Sequence, residues 1–554
     1  MLRLGAGRAV VAIGQALAGC APAVVSTRTA EPDAAPTAGF TLLQINDTYK
    51  IEGLEAGRVG GLARVRTLRR AVEAEGRPVL VLHAGDLLFP SVASRYFKGQ
   101  AMVAALNRLD GSAAFDERLI ATLGNHEFDD RDPAVLLARL AESRFRWLSS
   151  NVRVRPPEGG EPAPLSRRLE NVHDTLVLDL GGIRVGIFSL TNDDQPRDWL
   201  AIDYLDRAAR QRAVRAAIDR LRAAGAEVLV ALTHQELRED ERLAAEFPEI
   251  HRILGGHEHA WLERRVGDTW ITKADADAKS AVRIDLERTA AGFASRHRRI
   301  DLVSPAVEPD PDLLGEVATW LVRVARAVEE QTGRNLLDVV ATTEHSLEGV
   351  EPAIRGRETA LGNFLCDVLR TRLGTDVGLI NGGAIRVNDD VPAGGDVRVY
   401  ELEGIFYYDN RPVAFTVTGA ELLELLRKSV SEPELGHGRF LQVSGLRFRY
   451  HPRRAATGEA NRVEPADVEV LDPARGYLPL DLARRYSVAT LDYLWEYGYR
   501  DGYPLFSAGG GGTSPPLLPR AELSWRAITE EAIAALPGRR ITAAIEGRIV
   551  RLAD

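Results

Sequence analysis

A chain of 554 residues, 45% apolar and 27% charged, is long enough for two to four domains and apolar enough to bury their cores, so a single small module and a disordered polymer are both excluded. With 70 basic against 79 acidic residues the net charge is −9, and no overall positive field exists to hold nucleic acid or an anionic bilayer. Two cysteines, Cys20 and Cys366, rule out a disulfide framework, and neither has the spacing of a structural zinc knuckle.

Residues 1–20 carry Arg3 and Arg8, then a short apolar stretch from Ala9 to Ala16, then Leu17-Ala18-Gly19-Cys20. That order fits an export signal too short to span a bilayer. Its ending resembles the bacterial lipobox, which would make Cys20 the lipid-modified anchor of an exported protein, periplasmic or on the cell surface and touching membrane only there. The alternative is an Ala/Gly-rich start with an incidental cysteine. Residues 21–39, with Pro22, Pro32 and Pro36, read as a tether.

From Phe40 onward short β-rich runs alternate with helical stretches, the pattern of layered α/β architecture. Thr41–Ile45, Val79–His83, Leu119–Leu123, Val228–Leu232 and Ile253-Leu254 read as buried strands, and Ala63–Glu75 and Arg207–Ala224 as helices between them. Asp310–Glu330 reads as a long helix joining two halves. Beyond it lie a helix at Leu361–Thr371, a strand at Val377–Ile380 and a strand followed by a helix over Val413–Lys428. Gly509–Gly512 reads as a loop.

Each strand of the first half ends in polar residues: Asn46-Asp47-Thr48-Tyr49, Gly85-Asp86, Gly124-Asn125-His126-Glu127, Thr233-His234 and Gly256-His257-Glu258-His259. Strand ends are where open α/β sheets assemble sites from loops. Carboxylate, amide and imidazole are ligands that divalent metals accept, and an Asp on a tight Gly-Asp turn can bridge two ions, which makes Asp86 the candidate bridge. Singly, such motifs are ordinary turns and ordinary histidines; five of them in this order form a pattern.

The pattern resembles the calcineurin-like metallophosphoesterase signature. The resemblance implies a four-layer αββα sandwich that holds two divalent ions, Zn, Mn, Co or Mg, with Asp47, Asp86 and His259 on one and Asp86, Asn125, His234 and His257 on the other. The family has Asp-x-His where this chain has Asp47-Thr48-Tyr49. Either Tyr49 binds as a phenolate, favouring iron, or it stands behind the ligands while water fills the gap and the first ion is held weakly; the longer reach of tyrosine favours the second. The resemblance also makes His126, oriented by Asp129, the group that stabilises the transition state or protonates the leaving group. A helix cap before Asp132-Pro133 is the competing role for Asp129. Glu127 and Glu258 read as supporting residues, and His83, His173, His251 and His437 as ordinary histidines.

In the second half Arg357–Asn363, Asn381-Gly382-Gly383-Ala384-Ile385-Arg386, Gly438–Gly445 and Asp501-Gly502-Tyr503 resemble the C-terminal domain of the 5′-nucleotidase family. A nucleotide needs a flat slot for its base and cationic forks for its phosphate. The resemblance assigns Tyr408 and Tyr503 to the base, Arg357 and Arg386 to phosphate or ribose, and Asn381 and Asn410 to ribose or base edges. The expected organisation is a metallophosphoesterase domain over 40–308, a linker helix over 309–339 and an α+β substrate-binding domain over 340–554. The expected activity is phosphate removal from 5′-nucleotides, with UDP-sugars as further substrates. The rivals are a cyclic phosphodiesterase or other phosphorus- or sulfur-ester hydrolase of the superfamily, and a nucleotide-binding surface protein that has lost catalysis.

Overall fold

The computed structural model describes residues 38–155, 159–193, 197–452, 461–508, 514–519 and 522–553. Cys20, the leader, nearly all of the tether and the Gly509–Gly512 run lie outside them.

The first half is built on two sheets packed face to face. One has seven strands, with the parallel run Gly39–Ile45, Val79–His83, Asp116–Thr122, Phe145–Leu148 and Val172–His173 extended by the antiparallel hairpin Ser280–Thr289 and Gly292–Asp301. The other has six, centred on Val228–His234 between Arg184–Thr191 and Arg252–Gly255, both parallel to it. Side chains alternate across each strand. Phe40, Leu42, Leu80 and Leu82 therefore meet Val185, Ile187, Val230 and Leu232 between the sheets. Leu43, Ile45, Val79 and Val81 face outward onto Leu62–Glu73 and neighbouring helices, while Leu229 and Ala231 pack under Arg207–Ala223. Four layers result, helix, sheet, sheet and helix, and Val79–His83 and Val228–His234 at their centre are buried along their whole length.

The helix Pro311–Thr332 starts at Asp310, whose carboxylate accepts from the backbone of Asp312 and Leu313, and stops at Gly333 in the left-handed conformation. Its first turns set Leu313, Val317 and Trp320 into the core of the first half. Its last turns set Val324 and Val328 against Val92, Leu336 and Val399, which come from both halves.

The second half carries a four-stranded sheet ordered Pro412–Thr418, Arg485–Leu491, Val377–Asn381 and Leu441–Ser444, covered by the helices Ala360–Leu373 and Gly419–Ser429. A second four-stranded sheet takes in Ile549–Arg551, near the end of the chain. The α/β layering expected from the sequence is the observed one in both halves.

Candidate metal centre and substrate cleft

Strands that end at one edge of the two sheets deliver their polar residues to one point. Asp47, Asp86 and His234 bring ligand atoms within 4.8 Å of one another, all buried. The turns that do this are tight. Asp47, Asp86, His257 and His259 all adopt positive φ, at 50°, 58°, 90° and 60°, a conformation that side-chain-bearing residues seldom take. Glycines permit the close approach: a Cβ on Gly124 would stand 2.1 Å from Asp86 Oδ1, and one on Gly256 2.4 Å from the Ala84 carbonyl. Glu127 fixes the Asp86 turn by accepting from the backbone of Asp86, Leu87, Leu88 and Gly124, the supporting role expected for it. Glu258 pairs with Lys273, which also reaches Asp240 and the Gly256 carbonyl, and so ties down the loop that carries His257 and His259.

The polar atoms fit divalent ions. His234 donates through Nδ1 to the Ala84 carbonyl at 2.8 Å, and its Nε2 faces Asp86 Oδ2 at 3.1 Å and Asp47 Oδ1 at 3.9 Å. A backbone partner on one ring nitrogen and carboxylates around the other is the support a metal-binding imidazole takes. Burial opposes charge on His234, but Asp86 and Asp47 outweigh it and push its pKa up to about 10, so the pocket draws in a cation. His257 N–H donates to Asp47 Oδ2 at 2.9 Å, and His257 Nδ1 stands 3.2 Å from Asn125 Oδ1. Burial and the neighbouring His234 hold His257 well below its ordinary 6.5, the neutral form that ligates. His259 Nε2 lies 3.2 Å from Asp47 Oδ1.

Tyr49 reaches further in than its sequence position suggested. Its hydroxyl lies 2.8 Å from His259 Nε2, 3.2 Å from Asp86 Oδ2 and 3.4 Å from Asp47 Oδ1, which places the phenol oxygen among the polar atoms of the cluster. Burial and the two carboxylates hold its pKa well above 10.

His126 and Asp129 meet as a pair: Nδ1 lies 3.0 Å from Asp129 Oδ2. The competing helix-cap role falls to Asp132, which accepts from Ala134 N–H at the start of Pro133–Glu142. Burial works against the imidazolium, yet Asp129 and Asp86 prevail and raise His126 above its usual 6.5.

These groups floor a cleft of about 550 Å³ whose other wall is the second half. Arg386 reaches across, its Nη2 3.3 Å from His126 Nε2 and its guanidinium 5.6 Å from the Tyr408 ring centre. Asn381 and Asn410 line the same cleft, and Asn381 Oδ1 is buried with no hydrogen-bond partner among the described residues.

Two assignments need correction. Arg357 is half exposed and forks onto Glu348 at 2.6 and 2.7 Å; Arg355 instead lines the cleft, beside Arg386. Burial and the like charge of Arg386 push Arg355 down to about 9. Tyr503 is 1% exposed, packs on Phe506 in the core and donates its hydroxyl to the Arg439 carbonyl. The aromatic rings that share the cleft with Tyr408 are Tyr493 and Tyr497, and Asp501 and His437 line it as well. The Asp-Gly-Tyr string pointed to the right loop. The helix Asp492–Tyr497 before it, with tyrosines four apart on one face, held the signal that was missed.

Residues 40–261 match the calcineurin-like phosphoesterase family, and residues 339–508 match the 5′-nucleotidase C-terminal domain. The two matches give this chain, in order, a calcineurin-like phosphoesterase domain and a 5′-nucleotidase C-terminal domain. The chain's enzyme class is that of the phosphoric ester hydrolases. Snake venom 5′-nucleotidase of Naja atra is 25% identical over 506 residues, covering 84% of this chain and 91% of its own. A 5′-nucleotidase precursor from Thermus thermophilus superposes with a TM-score of 0.71 at 26% identity, covering 93% of this chain and all of that one. The fold is also shared with the sulfate thiohydrolase SoxB of the same species, at a TM-score of 0.68 and 20% identity over 94% of this chain and 98% of that one. No helix among the described residues is long and apolar enough to cross a membrane.

Proposed function

We propose that this enzyme removes phosphate from 5′-nucleotides with two bound divalent ions, one held by Asp47, Asp86 and His259 and one by Asp86, Asn125, His234 and His257. The observation that carries the reading is a single cleft with the carboxylate and imidazole cluster on its floor and paired guanidinia beside tyrosine rings on the facing wall. Divalent ions bound there supply polarisation of the phosphoryl oxygens and hydroxide near neutral pH.

The chain's own groups do the rest. Arg355 and Arg386 take phosphoryl oxygens, relieving their mutual repulsion. A phosphate that engages Arg386 draws it from His126 Nε2, and Asp129 on Nδ1 then favours protonation of Nε2, which delivers that proton to the leaving ribose oxygen. Tyr408 with Tyr493 or Tyr497 stacks the base, and the unpartnered Asn381 Oδ1 accepts from a ribose hydroxyl. UDP-sugars fit the same elements as further substrates. Export, with Cys20 as the lipid acceptor, completes the proposal.

The test is phosphate release from AMP by the full chain, abolished by chelation and restored by Mn or Zn, within a panel that includes UDP-glucose, 2′,3′-cyclic AMP and bis(p-nitrophenyl) phosphate. Activity that survives chelation, or turnover of the diesters alone, overturns it.

A further inference from the structure

Glu351 opens the short helix Glu351–Ile354 of the second half, 92 positions beyond His259 in sequence. It is nevertheless 3% exposed and lies against the metal cluster of the first half. Its Oε2 accepts from His259 Nδ1. Its Oε1 accepts from Arg355 Nη2 and, at 3.1 Å, from Arg386 Nη1.

An imidazole that donates through Nδ1 keeps its lone pair on Nε2. In His259 that is the atom 3.2 Å from Asp47 Oδ1. His234 is oriented in the same manner, but by the Ala84 carbonyl of its own domain. For His259 the orienting group comes from the other half of the molecule.

We infer that Glu351 is the positioning residue of His259, a carboxylate lent by the substrate-binding half that fixes the ion-facing tautomer and orientation of the imidazole. Retention of one ion thereby depends on the two halves being closed on each other, and the same carboxylate holds the guanidinium pair that meets the phosphate. The inference rests on the proposed two-ion hydrolase. Were Glu351 only a counter-charge for Arg355 and Arg386, its loss would change substrate affinity and leave ion affinity alone.

The experiment titrates metal-free full chain with Mn²⁺, following binding by calorimetry and the paired-ion signal by electron paramagnetic resonance, for wild type, Glu351→Ala and Glu351→Gln. In Glu351→Ala one of two ions is expected to bind roughly 10- to 100-fold more weakly, with the paired signal replaced by that of an isolated ion. Glu351→Gln, which keeps an acceptor oxygen without the charge, recovers part of the loss and carries the test by itself if the alanine variant fails to fold. Wild-type affinity for both ions in the glutamine variant and in any folded alanine variant overturns the inference while leaving the hydrolase reading intact. Absence of Mn²⁺ binding by the wild type overturns both.

Discussion

Exchanging Tyr49 for histidine would place an imidazole where a phenol now sits among Asp47, Asp86 and His259. The expected outcome is tighter retention of the first ion, by about tenfold in dialysis against a graded chelator, because a neutral imidazole ligates without first giving up a proton that burial holds well above pH 10. His126→Ala should leave ion content unchanged and lower kcat for AMP by roughly 10²- to 10⁴-fold, the range of a positioned proton donor. Arg355 and Arg357 make a sharper pair. Arg355→Ala should raise KM and lower kcat/KM for AMP, whereas Arg357→Ala, whose guanidinium engages a surface glutamate, should change neither beyond about twofold. A two-residue difference in sequence separates them, and a motif carries no information on which way each side chain emerges from the turn that follows the Glu351–Ile354 helix. Glu351 was illegible for a related reason: a lone glutamate has no motif, and its importance arises only when distant segments pack.

At the level of elements, what the sequence revealed follows burial. The strands Val79–His83 and Val228–His234 are buried along their whole length and read as unbroken apolar runs with polar ends, so both the element and the site at its tip were legible. The hairpin Ser280–Thr289 and Gly292–Asp301 was not, because its outer strand alternates with exposed arginines and its burial comes from pairing with Gly39–Ile45. The joining helix was readable from Asp310 before Pro311, and its cap is also ionic: Asp310 meets Arg66 at 3.0 Å and Arg70 at 2.8 Å. Burial raises the pKa of this carboxylate, but the Leu313 N–H and the two arginines prevail and hold it below 3.8. A depressed folded value contributes stability above the unfolded value and loses it as pH falls through the folded one. Asp310→Ala should therefore cost about 1–2 kcal/mol at pH 7, measured by urea unfolding, and the difference from wild type should shrink progressively below about pH 4.

Across the whole molecule the two halves hold each other through side chains that bond from one to the other. Arg95 of the first half donates to the Phe406 and Tyr407 carbonyls at 2.7 and 2.6 Å and to Asp409 at 2.8 Å, on the loop that carries Tyr408. Tyr96 reaches Glu403, Tyr400 reaches Glu52 and Asn388 reaches Asp277. Arg95→Ala should raise KM for AMP severalfold while ion content holds, a split visible in steady-state kinetics. The left-handed turns at Asp47, Asp86, His257 and His259 extend beyond catalysis. A backbone kept in costly angles around clustered carboxylates favours any occupant that binds the folded chain alone, and such an occupant at 100 times its dissociation constant adds about 2.7 kcal/mol of stability. Scarcity of such a divalent ion would then show itself first as a shortened lifetime of the polypeptide, cleared by proteases, before any slowing of turnover per surviving molecule.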